Sequence, residues 1–446
     1  MATALTRIGT KARDEPKLVF SSLYHHVYDI DNLRAAYDSL ERRKAVGIDG
    51  IDKDIYGKNL EENLKELSEK LKRMAYKPHP SRRTYIPKPG SEKGRPLGIS
   101  SFEDKIVEKA VKNVLEQIYE EDFEENSYGY RPGRSQHDCL DQLGRTIQQK
   151  KVSYVVEADI RSFFDRVNHA WLMKFLSHRI GDKRLLRLIE RQLKSGILED
   201  GLIKASEDGT PQGSIMSPIL SNIYLHYVLD LWFNKRVAKK WSQGEAYLFR
   251  YADDFVACFQ YQQDAIDFEK LLRERLEGFN LEVAEEKTQT LEFGRFARSN
   301  AQRRGEKPKG FTFLGFDHYC GKTKNGKFKV KRRTNLKKLR AGLRKFTEWC
   351  EKSRRWMIKG DMLRSARARI IGHLNYYAIT DNSPRCGEYI YHATRILFKW
   401  LNRKSQRNSY TWEGYRQVLL RLNWPMNGVR KDLNPFRREE ERSQAF

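Results

Sequence analysis

From Ser153 to Ile160 the chain reads Ser-Tyr-Val-Val-Glu-Ala-Asp-Ile, a β-branched and aromatic run that predicts a strand ending on an acid. A second apolar run, Ala246 to Phe259, is interrupted by Asp253-Asp254, which predicts two antiparallel strands joined by a tight acidic turn. Thr84-Tyr85-Ile86 predicts a short strand inside Tyr76 to Arg95, a stretch broken by Pro78, Pro80, Pro87 and Pro89. Elsewhere the apolar spacing is helical. Residues 1–46 carry it at Leu33, Ala36, Tyr37 and Leu40, and Gly47-Ile48-Asp49-Gly50 forms a turn that ends the segment. Further helices are expected from Asn59 to Met74, from about Glu103 to Tyr119, and from Ser217 to Lys235 with Pro218 near the start. The last third carries three stripes: Leu336, Leu339, Leu343, Phe346 and Trp349; Met362, Ala366, Ile370, Leu374 and Tyr377; and Ile390, Ala393, Leu397, Trp400 and Leu401. They predict a three-helix unit packed on its own core. The mixture describes an α+β fold, with a sheet covered by helices on one face.

Charge changes the picture most. Lys and Arg number 85 against 59 Asp and Glu, a net +26. An excess of this size favours a polyanion, because each phosphate neutralised releases condensed counterions. It does not separate DNA from RNA. The helical stripes of the last third carry Lys337, Lys338, Arg340, Arg344 and Lys345 on their outer faces, a basic surface suited to RNA. The 446 residues suggest about two to three domains. With 12% aromatic residues the chain is not a disordered one. No apolar run approaches the ~20 residues that span a bilayer, and Met1 to Thr10 lack the apolar core of a secretory signal. The expectation is a soluble intracellular protein with no membrane partner. Cys139, Cys258, Cys320, Cys350 and Cys386 show no zinc-site spacing, and buried free thiols are expected.

Asp159, Asp253 and Asp254 stand where acids are costly, at the ends or in the middle of apolar strands. Divalent cations would remove that cost. Mg²⁺ takes hard oxygen ligands from a few carboxylates and substrate phosphates, and two ions about 3.5–4 Å apart can serve both the attacking and the leaving oxygen of a phosphoryl transfer. Alone, an acidic pair in a turn fits a simple hairpin cap equally well.

The residues around it decide the matter. Phe249-Arg250-Tyr251-Ala252-Asp253-Asp254-Phe255-Val256 resembles the Tyr-X-Asp-Asp box of reverse transcriptases. Before it, in the family's order, come Ile86-Pro87-Lys88-Pro89 with Arg95-Pro96-Leu97-Gly98-Ile99; Ser127-Tyr128-Gly129-Tyr130-Arg131-Pro132-Gly133-Arg134-Ser135; Ala158-Asp159-Ile160-Arg161-Ser162-Phe163-Phe164-Asp165; and Gly209-Thr210-Pro211-Gln212-Gly213-Ser214 with Ser217-Pro218-Ile219-Leu220-Ser221-Asn222-Ile223-Tyr224. Glu286-Lys287-Thr288 and Phe313-Leu314-Gly315-Phe316 follow it. The wording is most similar to reverse transcriptase/maturases encoded by bacterial group II introns, over roughly residues 20 to 425.

That resemblance implies a right-hand polymerase with an α-helical thumb/maturase domain. Its divisions would be an N-terminal helical extension at 1–46, fingers with early palm elements at 47–150, a palm at 151–325, and thumb and tail at 326–446. It implies copying of RNA into DNA with two Mg²⁺ ions, Mn²⁺ being an alternative, on Asp159, Asp253, Asp254 and the Ile160 carbonyl. Lys88 and Arg95 would contact the incoming triphosphate, Phe164 would exclude a 2′-hydroxyl, and Gln212 and Gly213 would lie by the nucleotide and template. Asp165 complicates the comparison, since RNA-dependent RNA polymerases place a second acid near this spacing. Tyr251 and Ala252 complete the box, Lys287 would stand near the active site, and Leu314, Gly315 and Phe316 would support the primer end. His373, in Gly372-His373-Leu374-Asn375-Tyr376-Tyr377, is expected to be a hydrogen-bonded structural residue. The implied partners are an RNA template, intron RNA foremost, a DNA or RNA primer and dNTPs, within a ribonucleoprotein of the bacterial cytoplasm; oligomeric state is left open. Many relatives add a DNA-binding segment and a His/Cys-rich nuclease after the thumb, and neither is recognisable before Phe446, so no DNA nicking of its own is expected. Two other readings stay open at this point: a related enzyme domesticated for phage defence, CRISPR or DNA repair, and a non-catalytic RNA-binding maturase.

Overall fold

A computed structural model of the chain describes residues 4–86, 94–199, 202–204, 208–210, 212–403 and 409–437, the side chains of Arg95, Ile203 and Lys204 excepted. The strands are β1 (Ser81–Ile86), β2 (Arg95–Ile99), β3 (Tyr154–Asp159), β4 (Ile197–Glu199), β5 (Leu202–Lys204), β6 (Ala246–Tyr251), β7 (Asp254–Phe259), β8 (Gln289–Glu292), β9 (Phe311–Phe313), β10 (Phe316–Lys322) and β11 (Phe328–Thr334). The chain forms two compact units: Met1–Ser135, Ala158–Ala257 and Gln263–Gln289 make the first; Gln136–Glu157, Cys258–Gln262 and Thr290–Phe446 make the second.

In the first unit, helix Phe102–Asp122 is central. Ile106, Ala110, Val111, Val114, Leu115 and Ile118 recur at three- and four-residue intervals and are fully buried. Helices Ala4–Asp14 and Ile30–Ser39 pack on it. The sheet order β2-β1-β4-β5 has β1 antiparallel to β2 and parallel to β4. Pro96 is tolerated because β2 is the edge strand of this order. β1 is longer than the expected Thr84–Ile86. It starts at Ser81, and the Arg82 guanidinium donates to the Val46 carbonyl at 2.8 Å.

The sheet that carries the acids has the order β6-β7-β3-β8, and the ends of β3 and β7 that bear Asp159 and Asp254 belong to the first unit. The expected strand ending on an acid and the expected pair of strands around Asp253 are both present. The helix expected from Ser217 to Lys235 starts at Ser217 and continues to Trp241, but His226–Asp230 and Phe233–Trp241 are wound as wider π-helical turns. Such turns are rare and cluster at functional sites. Here one of them carries Asp230, which pairs with Arg250.

The second unit holds the sheet β11-β10-β9 and helices Gln136–Gln149, Leu336–Ser353, Lys359–Tyr377, Ser383–Asn402 and Trp412–Arg421. The three expected stripes fall on three of these helices. Leu339, Phe346, Met362, Ile370, Leu397 and Leu401 share one core, to which Tyr415 of the unanticipated last helix adds its ring. Asn335 starts the first of them, its side chain accepting from the Lys337 and Lys338 amides. The 325/326 division falls in the turn between β10 and β11, which pair along their whole length. All five cysteines are free and buried. His373 is half-buried and stacks on Tyr389, with centroids 3.5 Å apart, and its Nε2 has no partner among the described residues. Packing rather than the expected hydrogen bond holds it, and burial pushes its pKa down to about 4. No helix among the described residues is long and apolar enough to cross a membrane.

Candidate active site

Asp159 closes β3 and Asp254 opens β7, so sheet pairing brings together acids almost a hundred residues apart in sequence. Asp159 is buried and its carboxylate accepts from the Lys287 ammonium. Asp254 opens to solvent, yet the protein crowded round its carboxyl removes enough water to raise its pKa to about 7. The charges of Asp159 and Asp253 and a hydrogen bond with Asp159 push the same way; Lys287 opposes them. For Lys287, burial favours the neutral amine, but the hydrogen bond and charge of Asp159, with Asp254 and Asp253, outweigh it and hold the ammonium above its usual pKa.

Asp253 sits in the two-residue turn between β6 and β7, after Ala252 at φ 59°. Ile160 lies opposite Val283 in an antiparallel bridge. That bridge is closed by the Asp159 carbonyl and the Arg161 amide, and does not use the Ile160 carbonyl. Among the described residues no three acid, His or Cys side chains already surround one point closely enough to hold an ion, and Lys287 stands against Asp159. The donor set nevertheless fits a hard divalent cation. Two carboxyl groups that share a hydrogen bond, with a third adjacent, must otherwise share a proton or recruit an ammonium.

This has a pH signature. Asp254 titrates higher in the folded chain than in the unfolded one, so it favours folding below its unfolded value near 4, and that contribution is lost as pH rises to about 7. Without divalent ions, the melting temperature of the wild type relative to Asp254→Asn is expected to fall between those limits. Mg²⁺ should restore it most at and above pH 7. An equal difference at pH 4.5 and 7.5, with and without Mg²⁺, would contradict this.

Beside the acids, Phe163 is buried against Tyr224, whereas Phe164 is only half-buried, so Phe164 is the ring available to a ligand. Its carbonyl accepts from the Thr210 amide at 2.7 Å, tying it to the loop that carries Gln212. The Gly98 amide donates to the Gln212 carbonyl at 2.7 Å. Gly213 has φ +114°, and a Cβ there would lie 2.6 Å from the Gly98 carbonyl oxygen, so the loop and β2 approach as only glycine allows. Buried Glu108 fixes the far side of the loop, accepting from Ser214 Oγ at 2.9 Å and the Ile215 amide at 2.7 Å. Burial raises the Glu108 pKa against the pull of these bonds. Gln212 Nε2 reaches Asp165 at 3.5 Å, and burial raises that acid's pKa while Arg83 lowers it. A groove of 740 Å³ opens on this loop, lined by Gly98 and Gly213 and by Lys44, Lys53, Arg82 and Lys105 among others.

Lys88 and the side chain of Arg95 lie outside the described residues; the Arg95 backbone pairs with Ile86. In the second unit, Leu314 and Gly315 form the turn between β9 and β10, at φ 48° and 81°. A leucine in this left-handed conformation is strained. The Tyr376 hydroxyl donates to its carbonyl at 2.9 Å, and Phe316 stacks on the Tyr376 ring.

Arg250 and Gly129 lie within the motifs without a task of their own, and no motif marks Asp230 or Glu108. A Cβ on Gly129 would lie 2.3 Å from the Ala252 amide nitrogen, so this glycine lets the chain press against the acidic turn. The signal was present: Arg250 interrupts Leu248-Phe249 and Tyr251 in a strand otherwise suited to burial.

An acidic strand pair, its helical cover and a loop held beside it define a polymerase palm. Residues 86–318 match the family described as "Reverse transcriptase (RNA-dependent DNA polymerase)", and the chain belongs to that family. It is 39% identical over 231 residues to the group II intron-encoded protein LtrA of Lactococcus lactis subsp. cremoris, covering 51% of this chain and 38% of LtrA. It is 35% identical over 285 residues to protein YkfC of Escherichia coli (strain K12), covering 56% of this chain and 73% of YkfC. An uncharacterized 91 kDa protein in the cob intron of Schizosaccharomyces pombe is 35% identical over 224 residues, covering 50% of this chain and 27% of that protein. The match thus spans well under half of LtrA and of the yeast protein.

Proposed function

We propose that the chain is an RNA-directed DNA polymerase of the group II intron type, extending a DNA or RNA primer on an RNA template. One observation carries this reading: Asp159 and Asp254 meet from separate strands with Asp253 adjacent, at a cost that bound divalent cations relieve. Asp159, Asp253, Asp254 and the Ile160 carbonyl would hold two Mg²⁺ ions, which when bound supply Lewis acidity at the attacking and leaving oxygens. In the reaction the primer 3′-hydroxyl gives its proton to water, its oxygen bonds to the α-phosphorus, the α–β phosphoanhydride bond breaks, and pyrophosphate leaves. Lys287, which pairs with Asp159 until the ions take that carboxylate, then adds positive charge beside the reacting phosphates. Lys88 and Arg95 are assigned to the triphosphate by resemblance. The groove lined by Lys44, Lys53, Arg82 and Lys105 is assigned to the template strand, its cations matching the backbone phosphates.

The half-exposed Phe164 ring is assigned to sugar selection. Phe164→Ala is expected to raise ribonucleotide incorporation relative to deoxynucleotide by about 10- to 100-fold, the range that a change in pocket contact gives. Competing dCTP and rCTP in single-nucleotide extension measures it, and an unchanged ratio would remove Phe164 from this role.

The intron role rests on relatives whose names place them in introns and on the basic helices of the second unit. The intron RNA is then both template and bound partner, with maturase assistance a second task. The test of the main reading is extension of a primer on an RNA template with dNTPs and Mg²⁺. Full-length cDNA that disappears with EDTA is expected; no cDNA under conditions that support LtrA would overturn it.

A further inference from the structure

We propose that the buried Asp230–Arg250 pair is the positioning element of the acidic turn, holding Asp253 and Asp254 in the conformation that receives the metal ions. The inference rests on the polymerase reading above and names residues to which that reading gives no role. Both side chains are completely buried. The guanidinium meets Asp230 as a fork, Nε to Oδ1 at 2.8 Å and Nη2 to Oδ2 at 2.6 Å. Its other donors go to Ser127 Oγ at 2.7 Å, Asn222 Oδ1 at 3.0 Å and the Ala252 carbonyl at 3.0 Å. All five N–H groups are therefore spent, and one is spent on the residue directly before Asp253.

Ala252 needs that hold. At φ 59° it occupies a left-handed conformation that a residue with a Cβ resists. The same network grips it from the other side. Asn222 Nδ2 donates to the Gly129 carbonyl at 2.7 Å, and Gly129 lies close against the Ala252 amide. The Arg250 amide and carbonyl are themselves paired with Asn126 and Tyr128. The turn is thus clamped between the 126–129 segment and helix Ser217–Leu225 through one guanidinium.

Stability alone is a poor reason for such a pair. Desolvating two charges offsets most of their attraction, and apolar residues of similar size commonly do as well. What apolar residues cannot do is direct a planar fork of donors at a carbonyl. The π-helical turn that carries Asp230 points to the same demand, since it departs from α-helical winding at the residue that must meet Arg250.

The test compares wild type, Arg250→Lys and the double variant Asp230→Leu/Arg250→Met in primer extension, with kcat, dNTP KM, primer–template affinity, melting temperature and the Mg²⁺ concentration for half-maximal rate. The double variant should fold, bind primer–template and keep its dNTP KM within about threefold, because its surface is unchanged, yet lose about 100-fold in kcat, the cost of a 1 Å misplacement. Its Mg²⁺ requirement should rise about tenfold, as for lost outer partners of metal ligands. Arg250→Lys, which keeps the buried charge but not the fork, should show the same two changes to a smaller degree, and it decides the matter if the double variant does not fold. Wild-type kcat and Mg²⁺ requirement in a folded Arg250→Lys would overturn the proposal. A wild type that extends no primer would instead overturn the polymerase reading, and this inference with it.

Discussion

Asp254→Asn should lower the single-turnover rate of dNTP addition by at least about 10³-fold, because a lost metal ligand removes several kcal/mol of transition-state charge stabilisation and each ~1.4 kcal/mol is tenfold. Burial, and then the charges of Asp159 and Asp253, raise the pKa of this acid, so the amide relieves both costs while removing a ligand. The variant should therefore melt no lower than the wild type in the absence of Mg²⁺ while being inactive in its presence. Rapid-quench extension and thermal melting on the same preparation separate the two effects. Primer–template affinity should change little, since the cations assigned to it lie elsewhere, at Lys44, Lys53 and Lys105 among others. A rate within tenfold of wild type would remove Asp254 from the chemistry.

Gly129→Ala is expected to cost about 100-fold in kcat for a single methyl group. The added Cβ would meet the Ala252 amide nitrogen at 2.3 Å and its Cα at 3.0 Å, and backbone atoms cannot swing aside as a side-chain tip can. The acidic turn must move, and a displacement near 1 Å at a reacting centre costs about 10²-fold. Overpacking of this kind also destabilises by about 1–3 kcal/mol, so chemical denaturation should show a measurable but not catastrophic loss. Gly133→Ala is the control. That glycine has φ +69° but open space around its Cβ position, so it should lose some stability and little rate. Equal effects at the two positions would show that contact with the turn is not what matters.

The strands that carry the acids were legible because their apolar runs match the burial they meet. Tyr154 to Ala158 is β-branched or aromatic at most positions, and Asp159 then stands out at its end. The helices of the second unit were legible for the same reason, their apolar residues falling on one face of each. Other features were not. β4 and β5 are three residues each and leave no pattern to read. The π-helical winding after Leu225 coincides with the tertiary contact between Asp230 and Arg250, and nothing in the local spacing announces it. Glu108 lies in the helical period of its neighbours and reads as a surface acid until Ser100, Ser214 and Ile215 are seen around it. The motif residues could be read from order along the chain; the residues that hold them in place could be read only from contacts across it.

Anomalous scattering from Mn²⁺ in crystals of the chain with primer, RNA template and a non-hydrolysable dNTP tests the central claim most directly. The account predicts two peaks about 4 Å apart, bounded by Asp159, Asp253 and Asp254, with Lys287 no longer paired to Asp159. Ordered nucleic acid with no metal at these acids, or with Lys287 still holding Asp159, would contradict it.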